Sequence, residues 1–226
     1  MTGTFSTART IAAKDIAVER RSRVVANQVL PFAGLVMVMF AFALDDDALA
    51  SRAAGGLVWL AALLALLVTV QRSFAVDAAD GALEAIRAAG ADMRGVFLGK
   101  AAALAAQLLV LEIMLVAAAV VLYRVSVRDP LLLAAVLVVA TAGLAAIGCI
   151  YGGVVAGSGG RETLLPLLLM PVAAPVLIGA TRATESVFAS GGATAAEGWP
   201  WVGLLAAFAA IFLVAGAVSF ASLVEE

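Results

Sequence analysis

Histidine is absent from this chain of 226 residues. Its absence removes the commonest general base and the commonest ligand for zinc and haem iron. Serine–histidine hydrolysis, the HExxH zinc helix and histidine ligation of haem by this chain are all excluded, and no metal site is expected. Cysteine is nearly absent too. Cys149 stands alone, so no intrachain disulfide can form, and its place in an apolar run reads as a small buried hydrophobe. Charge is scarce: 13% of residues are charged and 64% are hydrophobic, where soluble domains have about a quarter charged. No basic block has the footprint of a nucleic-acid surface. Nor is there a phosphate-cradling P-loop, G-x-x-x-x-G-K-[ST]. The nearest stretch, "RGVFLGKA" at 94–101, has Arg94 in place of the first glycine and Ala101 in place of the hydroxyl residue. ATP-driven work by this chain therefore requires a separate ATPase.

What the chain does have is long apolar runs. A membrane-spanning helix needs about 20 mostly apolar residues. Six stretches qualify, at roughly 25–44, 54–71, 96–123, 129–156, 163–181 and 199–223. The expected fold is all-α: one polytopic membrane domain over 1–226, with a charged lead at 1–23 and a six-span bundle over 24–226. Connections are short except at 77–90 and at 182–198, "RATESVFASGGATAAEG", whose Gly, Ser and Thr content reads as loop. With six spans both termini share a side. Of the 14 Lys and Arg residues, only Arg52, Arg124, Arg128 and Arg182 fall on the other side. By the positive-inside rule the termini and 77–90 are cytoplasmic and Asp45–Asp47 lie outside.

The lead contains "TARTIAAKDIAVERRSR", in which Ala8, Ile11, Ala12 and Val18 share a helical face interrupted by Asp15, with Arg20, Arg21 and Arg23 nearest the membrane. It reads either as a helix in the headgroup region, its arginines near anionic lipid, or as a solvated lead whose arginines only set topology. An A-x-A at Ala41–Ala43 resembles a signal cleavage site, but the long lead with Asp15 and Glu19 argues for retention.

The segment 77–90, "DAADGALEAIRAAG", is helix-forming where a simple turn would do. Asp77 can cap a helix starting at Ala78, with Asp80 in its first turn, both acids favouring the positive end of the helix dipole. Gly81 is costly inside such a helix, and Gly90 can end it in the left-handed conformation. Leu83 and Ile86 share a face, and Glu84 and Arg87 form an i, i+3 pair. The segment is either a surface helix resting on its own bundle or a docking helix for a cytoplasmic partner.

Three intramembrane features stand out. Gly148 with Gly152, and Gly153 with Gly157, have the four-residue spacing that lets helices approach closely in lipid, within one chain or between copies. Pro166, Pro171 and Pro175 disturb the fifth span and suggest a kinked or cavity-lining helix. Glu112 lies mid-span, where a carboxyl needs a partner such as Gln107 or Tyr151, or carries a proton. Trp59, Trp199 and Trp201 suit interfacial belts.

"SFAVDAADGALEAIRAAGADMRGVFLGKA" resembles the cytoplasmic loop of the CcmB family, the six-span permease subunit of an ABC-type complex in cytochrome c maturation. Phe74, Asp77, Asp80, Gly81, Leu83, Glu84 and Lys100 follow the family's order. The stretches 145–180 and 55–67 resemble its fifth-span region and second span. Departures are Gly90-Ala91 where the family usually has a proline, a missing Trp early in span three, and Glu112. The resemblance implies an ABC-2-type permease architecture in the bacterial inner membrane, with a coupling helix between spans two and three. It implies no enzyme activity in this chain and no bound cofactor, with haem as possible cargo and ATP on a CcmA-like ATPase docked around 74–90. CcmC-like and CcmD-like subunits and a CcmE-like haem chaperone are the implied partners, along with membrane lipid. Since six spans are half an ABC pore, a homodimer or a second permease is implied. In this reading Leu83 and Ile86 fill an ATPase groove while Asp80 and Glu84 orient the helix. The alternatives are an ABC-2-type exporter of lipid, glycan or drug, and an ATP-independent carrier or scaffold.

Overall fold

The computed structural model describes residues 3–79, 81–157 and 164–223. Among these the regular elements are helical: α1 (Thr4–Ser22), a π-helical turn (Val25–Val29), α2 (Leu30–Ala43), α3 (Asp47–Ala79), α4 (Ala82–Ala88), α5 (Met93–Leu122), α6 (Pro130–Gly157), α7 (Leu164–Phe188), a 3₁₀ turn (Ser190–Gly192) and α8 (Ala195–Leu223). Six of the helical stretches are long and apolar enough to cross a membrane, as expected. The π turn runs into α2 to make the first span, so α1, the π turn and α4 stand at one end of the bundle.

The helices start where local chemistry demands. Asp46 accepts from the backbone N–H of Ala48 at 2.8 Å and starts α3. Asp129 accepts from Leu132 N–H at 2.9 Å, ahead of Pro130 in the first turn of α6. Thr194 and Glu197 are hydrogen-bonded at 2.9 Å and begin α8. Two spans exceed the sequence expectation. The 33-residue α3 is about 50 Å long, against a hydrocarbon core of about 30 Å. Helix α7 continues to Phe188, so most of 182–198 is helix and only a short corner separates α7 from α8.

Helices α3 and α6 form the interior, and α2 and α8 expose most of their surface, as lipid-facing spans do. At the end opposite α4, Tyr123 donates to the Met37 carbonyl at 2.7 Å, Arg128 N–H to Val187 O at 3.0 Å, and Ser190 Oγ to Ser51 O at 3.0 Å. Trp59 is not a belt residue. It is buried, and its indole N–H donates to Thr184 Oγ1 at 2.8 Å, because Gly55 on the preceding turn of α3 lets α7 approach.

The glycines of α6 pack within the chain. A Cβ at Gly152 would lie 2.5 Å from the Phe74 ring, one at Gly148 2.8 Å from Val70, and one at Gly153 2.9 Å from Phe220. They receive α3 on one side and α8 on the other, while Gly157 is the last residue of α6. The prolines differ from expectation. Pro166 falls in the first turn of α7, where no helical donor is missed, and Pro171 and Pro175 lie inside the helix on its exposed side, in a stripe with Leu167 and Ile178. That stripe faces outward, toward lipid or a partner.

Glu112 is fully buried between α5 and α6, and its partner is Thr141, not Gln107 or Tyr151. The Thr141 hydroxyl lies 2.5 Å from Glu112 Oε2 and 2.5 Å from the Leu137 carbonyl. A hydroxyl has one proton, so both contacts are satisfied together when the group at 112 donates. A glutamine amide can do that. Glu112→Gln is therefore expected to stay within about 1 kcal/mol of the parent in thermal unfolding, the size of one hydrogen bond. A loss well beyond that would show that the group at 112 does not donate.

Candidate functional site

The site forms at the α4 end, where α1, α3, α4 and α5 meet. Asp77 does not cap α4. Helix α3 runs on to Ala79, which places Asp77 in its final turns. The chain then turns through Gly81, whose φ of 60° is a left-handed conformation, and α4 begins at Ala82. The glycine that looked costly inside a helix is thus the break between two helices. Gly90, at φ 70°, closes α4, with its N–H donating to Arg87 O at 2.9 Å and Ala91 N–H to Ile86 O at 3.3 Å. Asp92 caps α5 by accepting from Arg94 N–H at 3.0 Å. It also accepts a short bond from the Thr4 hydroxyl, which is the main cause holding its carboxyl below the ordinary 3.8.

Asp77 and Lys100 close the base of this α3–α4–α5 hairpin. Both are buried, at 3% and 2% exposure, and they form a direct ion pair. Lys100 also reaches Asp15 Oδ2 and Ser73 Oγ, both at 3.3 Å, and lies 4.7 Å from the centre of the Phe74 ring. Lys14 donates to Asp77 Oδ1 at 2.6 Å and pairs with Asp15 at 3.0 Å. Two cations and two anions therefore alternate, so the burial cost of each charge is offset by opposite neighbours. Burial opposes the charge on Lys14, but hydrogen bonds to Asp77 and Asp15 outweigh it and raise its pKa above the ordinary 10.5. That contribution to stability is complete below 10.5 and is lost only as pH rises through the higher folded value.

Helix α1 reaches the cluster because α5 offers it a groove. A Cβ at Gly95 would lie 2.6 Å from the Thr4 carbonyl, and one at Gly99 2.5 Å from that of Ala8. These two glycines admit the α1 backbone, and Thr7 and Ile11 are buried against α5. The lead is thus neither a solvated tail nor a helix resting on headgroups alone. A cavity of about 270 Å³ lies beside the cluster, lined by Asp15, Arg72, Ser73, Asp77 and Gln107 among others.

The expected docking residues separate into two groups. Phe74 and Asp77 are buried inside, Phe74 against Gly152. Ile86 is half-buried and packs against the core, while Ala85, Arg87 and Ala88 on α4 are exposed. Asp80 lies outside the described residues, as do the side chains of Leu83 and Glu84. Sequence reasoning missed Lys14, Asp15, Gly95 and Gly99. The signal for the glycines was their four-residue spacing within the stretch 94–101, "RGVFLGKA".

The family model described as "CcmB protein" matches residues 6–225. A protein named "Heme exporter protein B" from Rhodobacter capsulatus is 33% identical over 138 residues, which is 57% of this chain and 59% of that protein, under two thirds of its length. Proteins of the same name from Haemophilus influenzae and Bradyrhizobium diazoefficiens are each 32% identical, over 67% of this chain and 69% of their own length. No solved structure matches. A family match over nearly the whole length, on a bundle of six candidate spans whose second and third are joined by a helix, establishes that the chain belongs to the CcmB family.

Proposed function

We infer that this chain is the permease subunit of a haem-exporter ABC complex serving cytochrome c maturation, and that the α3–α4–α5 hairpin receives the stroke of a separate ATPase. The observation that carries the reading is the short helix α4 at one end of the bundle, flanked by Asp77 and Lys100, which tie it to two spans through a buried ion pair. A push on α4 reaches α3 and α5 through that pair, and reaches α1 through Lys14 and Asp15. ATP is bound and hydrolysed by a CcmA-like partner, since the chain has no P-loop.

The chain does not itself ligate haem through histidine. That favours a subunit that couples ATP hydrolysis to haem delivery or to release of a haem-loaded, CcmE-like chaperone, alongside CcmC-like and CcmD-like subunits. The distribution of Lys and Arg favours cytoplasmic termini, and membership of the CcmB family favours the bacterial inner membrane. The large outward apolar faces of α2 and α8 leave room for the second copy or second permease that completes a pore.

The test is co-purification of the neighbouring ATPase with the parent and with Leu83→Asp. Loss of association, with the variant still folded in detergent, is the expected result. If Leu83→Asp keeps both association and coupled hydrolysis, α4 is not the docking element. If deleting the gene leaves cytochrome c maturation intact, the exporter of another substrate is the better reading.

A further inference from the structure

A second groove lies on the outward side of the same end, between the end of α1, the π turn, α2 and α5. Its volume is about 340 Å³. One end carries Arg20 and Arg23 with Glu19 beside them, and Gln107 is the other polar residue in its lining; the remaining wall is apolar and includes Val25, Leu30, Ala106, Val110 and Met114. Val110 and Met114 are 57% and 49% exposed, so the groove opens sideways from the bundle. The first span begins at Val25, two residues after Arg23. The arginines therefore stand at the edge of the hydrocarbon, where lipid phosphates lie.

Local backbone structure shapes the groove. The π turn at Val25–Val29 widens the helix at this point, as such turns do at binding sites. Arg23 has φ 51°, a left-handed conformation that favours glycine, yet a long cation occupies it. The acid beside the arginines, Glu19, turns its oxygens to other donors and makes no ion pair with them. Glu19 Oε1 accepts from Val25 N–H at 2.6 Å, and its other oxygen is 3.4 Å from the Ser22 hydroxyl. Among the described residues neither Arg20 nor Arg23 forms an ion pair. The arginine heads thus stand at the rim of the groove without an ion-pair partner, outnumbering the one acid there, Glu19, and hydrocarbon lines the interior.

We propose that this groove binds one anionic glycerophospholipid, its phosphate between Arg20 and Arg23 and an acyl chain along Leu30, Ala106, Val110 and Met114. The lipid fills the space that the π turn leaves between the first span and α5, and it ties α1 to the bilayer at the same end as the charge cluster. Its recognition needs both parts of the ligand: a zwitterionic lipid lacks the net charge, and free phosphate lacks the chain.

The experiment is native mass spectrometry of the full chain in neutral detergent, mixed with phosphatidylglycerol or with phosphatidylcholine of the same acyl chains. The parent is expected to retain a phosphatidylglycerol adduct in preference to phosphatidylcholine. Arg20→Gln combined with Arg23→Gln is expected to lower phosphatidylglycerol retention about 30-fold, the surface attraction of two arginines. Arg52→Gln, at the opposite end of the bundle, serves as the control and retains the lipid. Ala106→Trp fills the groove and removes the adduct while both arginines remain; a lipid-free melting curve shows that this variant is folded. Equal retention of the two lipids overturns the proposal. So does a double Gln variant that holds phosphatidylglycerol as the parent does, or a folded Ala106→Trp variant that still carries the adduct.

Discussion

Lys100→Met is expected to destabilise the protein by about 3–5 kcal/mol, the cost of removing one partner from a buried ion pair. The substitution leaves Asp77 and Asp15 facing Lys14 alone, with Asp77 at 3% exposure. Asp77→Leu should also destabilise, because it leaves Lys100, which is 2% exposed, with only the longer contacts to Asp15 and Ser73, both 3.3 Å. The combination behaves differently. Asp77→Leu with Lys100→Met removes one positive and one negative charge and leaves the Lys14–Asp15 pair, 3.0 Å apart, in place. Much of the lost stability should return, since well-packed apolar replacements of a buried pair are often neutral or stabilising. Thermal unfolding of the four proteins in detergent gives the coupling energy directly. A single variant as stable as the parent would show that the pair is not buried as described. The same set tests the proposed transmission: if a separate ATPase docks at α4, the folded double variant should still bind it yet couple hydrolysis poorly, because the hairpin base is no longer locked to α1.

The architecture was legible because lipid imposes a length and a composition that few soluble sequences satisfy. Apolar runs of about 20 residues located every span. Their ends were not legible, because a helix can outrun the membrane. Composition marks only where the apolar run stops, so the last turns of α3, carrying Arg72, Ser73 and Asp77, read as a connection. The 194–197 stretch, Thr-Ala-Ala-Glu, has the spacing of a helix start, but the glycines before it made the whole segment read as loop. Family likeness marked Asp77 and Lys100 without giving a reason for them. Their pairing joins positions 23 apart across α4, and Lys14 joins from a helix 63 residues away, contacts that no local pattern reports. Trp59 misled for a related reason: an indole near a span end suits a headgroup belt, and only the packing of α3 on α7 supplies Thr184 as its partner.

The second large effect is expected at Gly99. Gly99→Leu is predicted to detach α1 from α5, because even the first added carbon would lie 2.5 Å from the Ala8 carbonyl and 2.8 Å from Ile11 Cβ. The obstacle at Ala8 is backbone, which cannot rotate aside as a side chain can. Separating the helices also removes Asp15 from Lys100 and Lys14 from Asp77, so the steric change becomes an electrostatic one. Gly95→Leu should act in the same direction through the Thr4 carbonyl, 2.6 Å from the added carbon. Spin labels at Ala13 and Ala102, both on exposed positions, report the result. The parent should give one narrow distance, and Gly99→Leu a longer and broader distribution, with faster tryptic cleavage after Arg9 and Arg20. Helices α3, α5, α6, α7 and α8 also pack directly on one another, so the variant should still insert as a six-span bundle. An unchanged distance in Gly99→Leu would mean that α1 is held by something other than this glycine groove. If the distance lengthens and ATPase coupling fails while the ATPase still binds, then the lead belongs to the transmission path from α4 to the spans, and the alternating charges at Lys14, Asp15, Asp77 and Lys100 are the joint through which it acts.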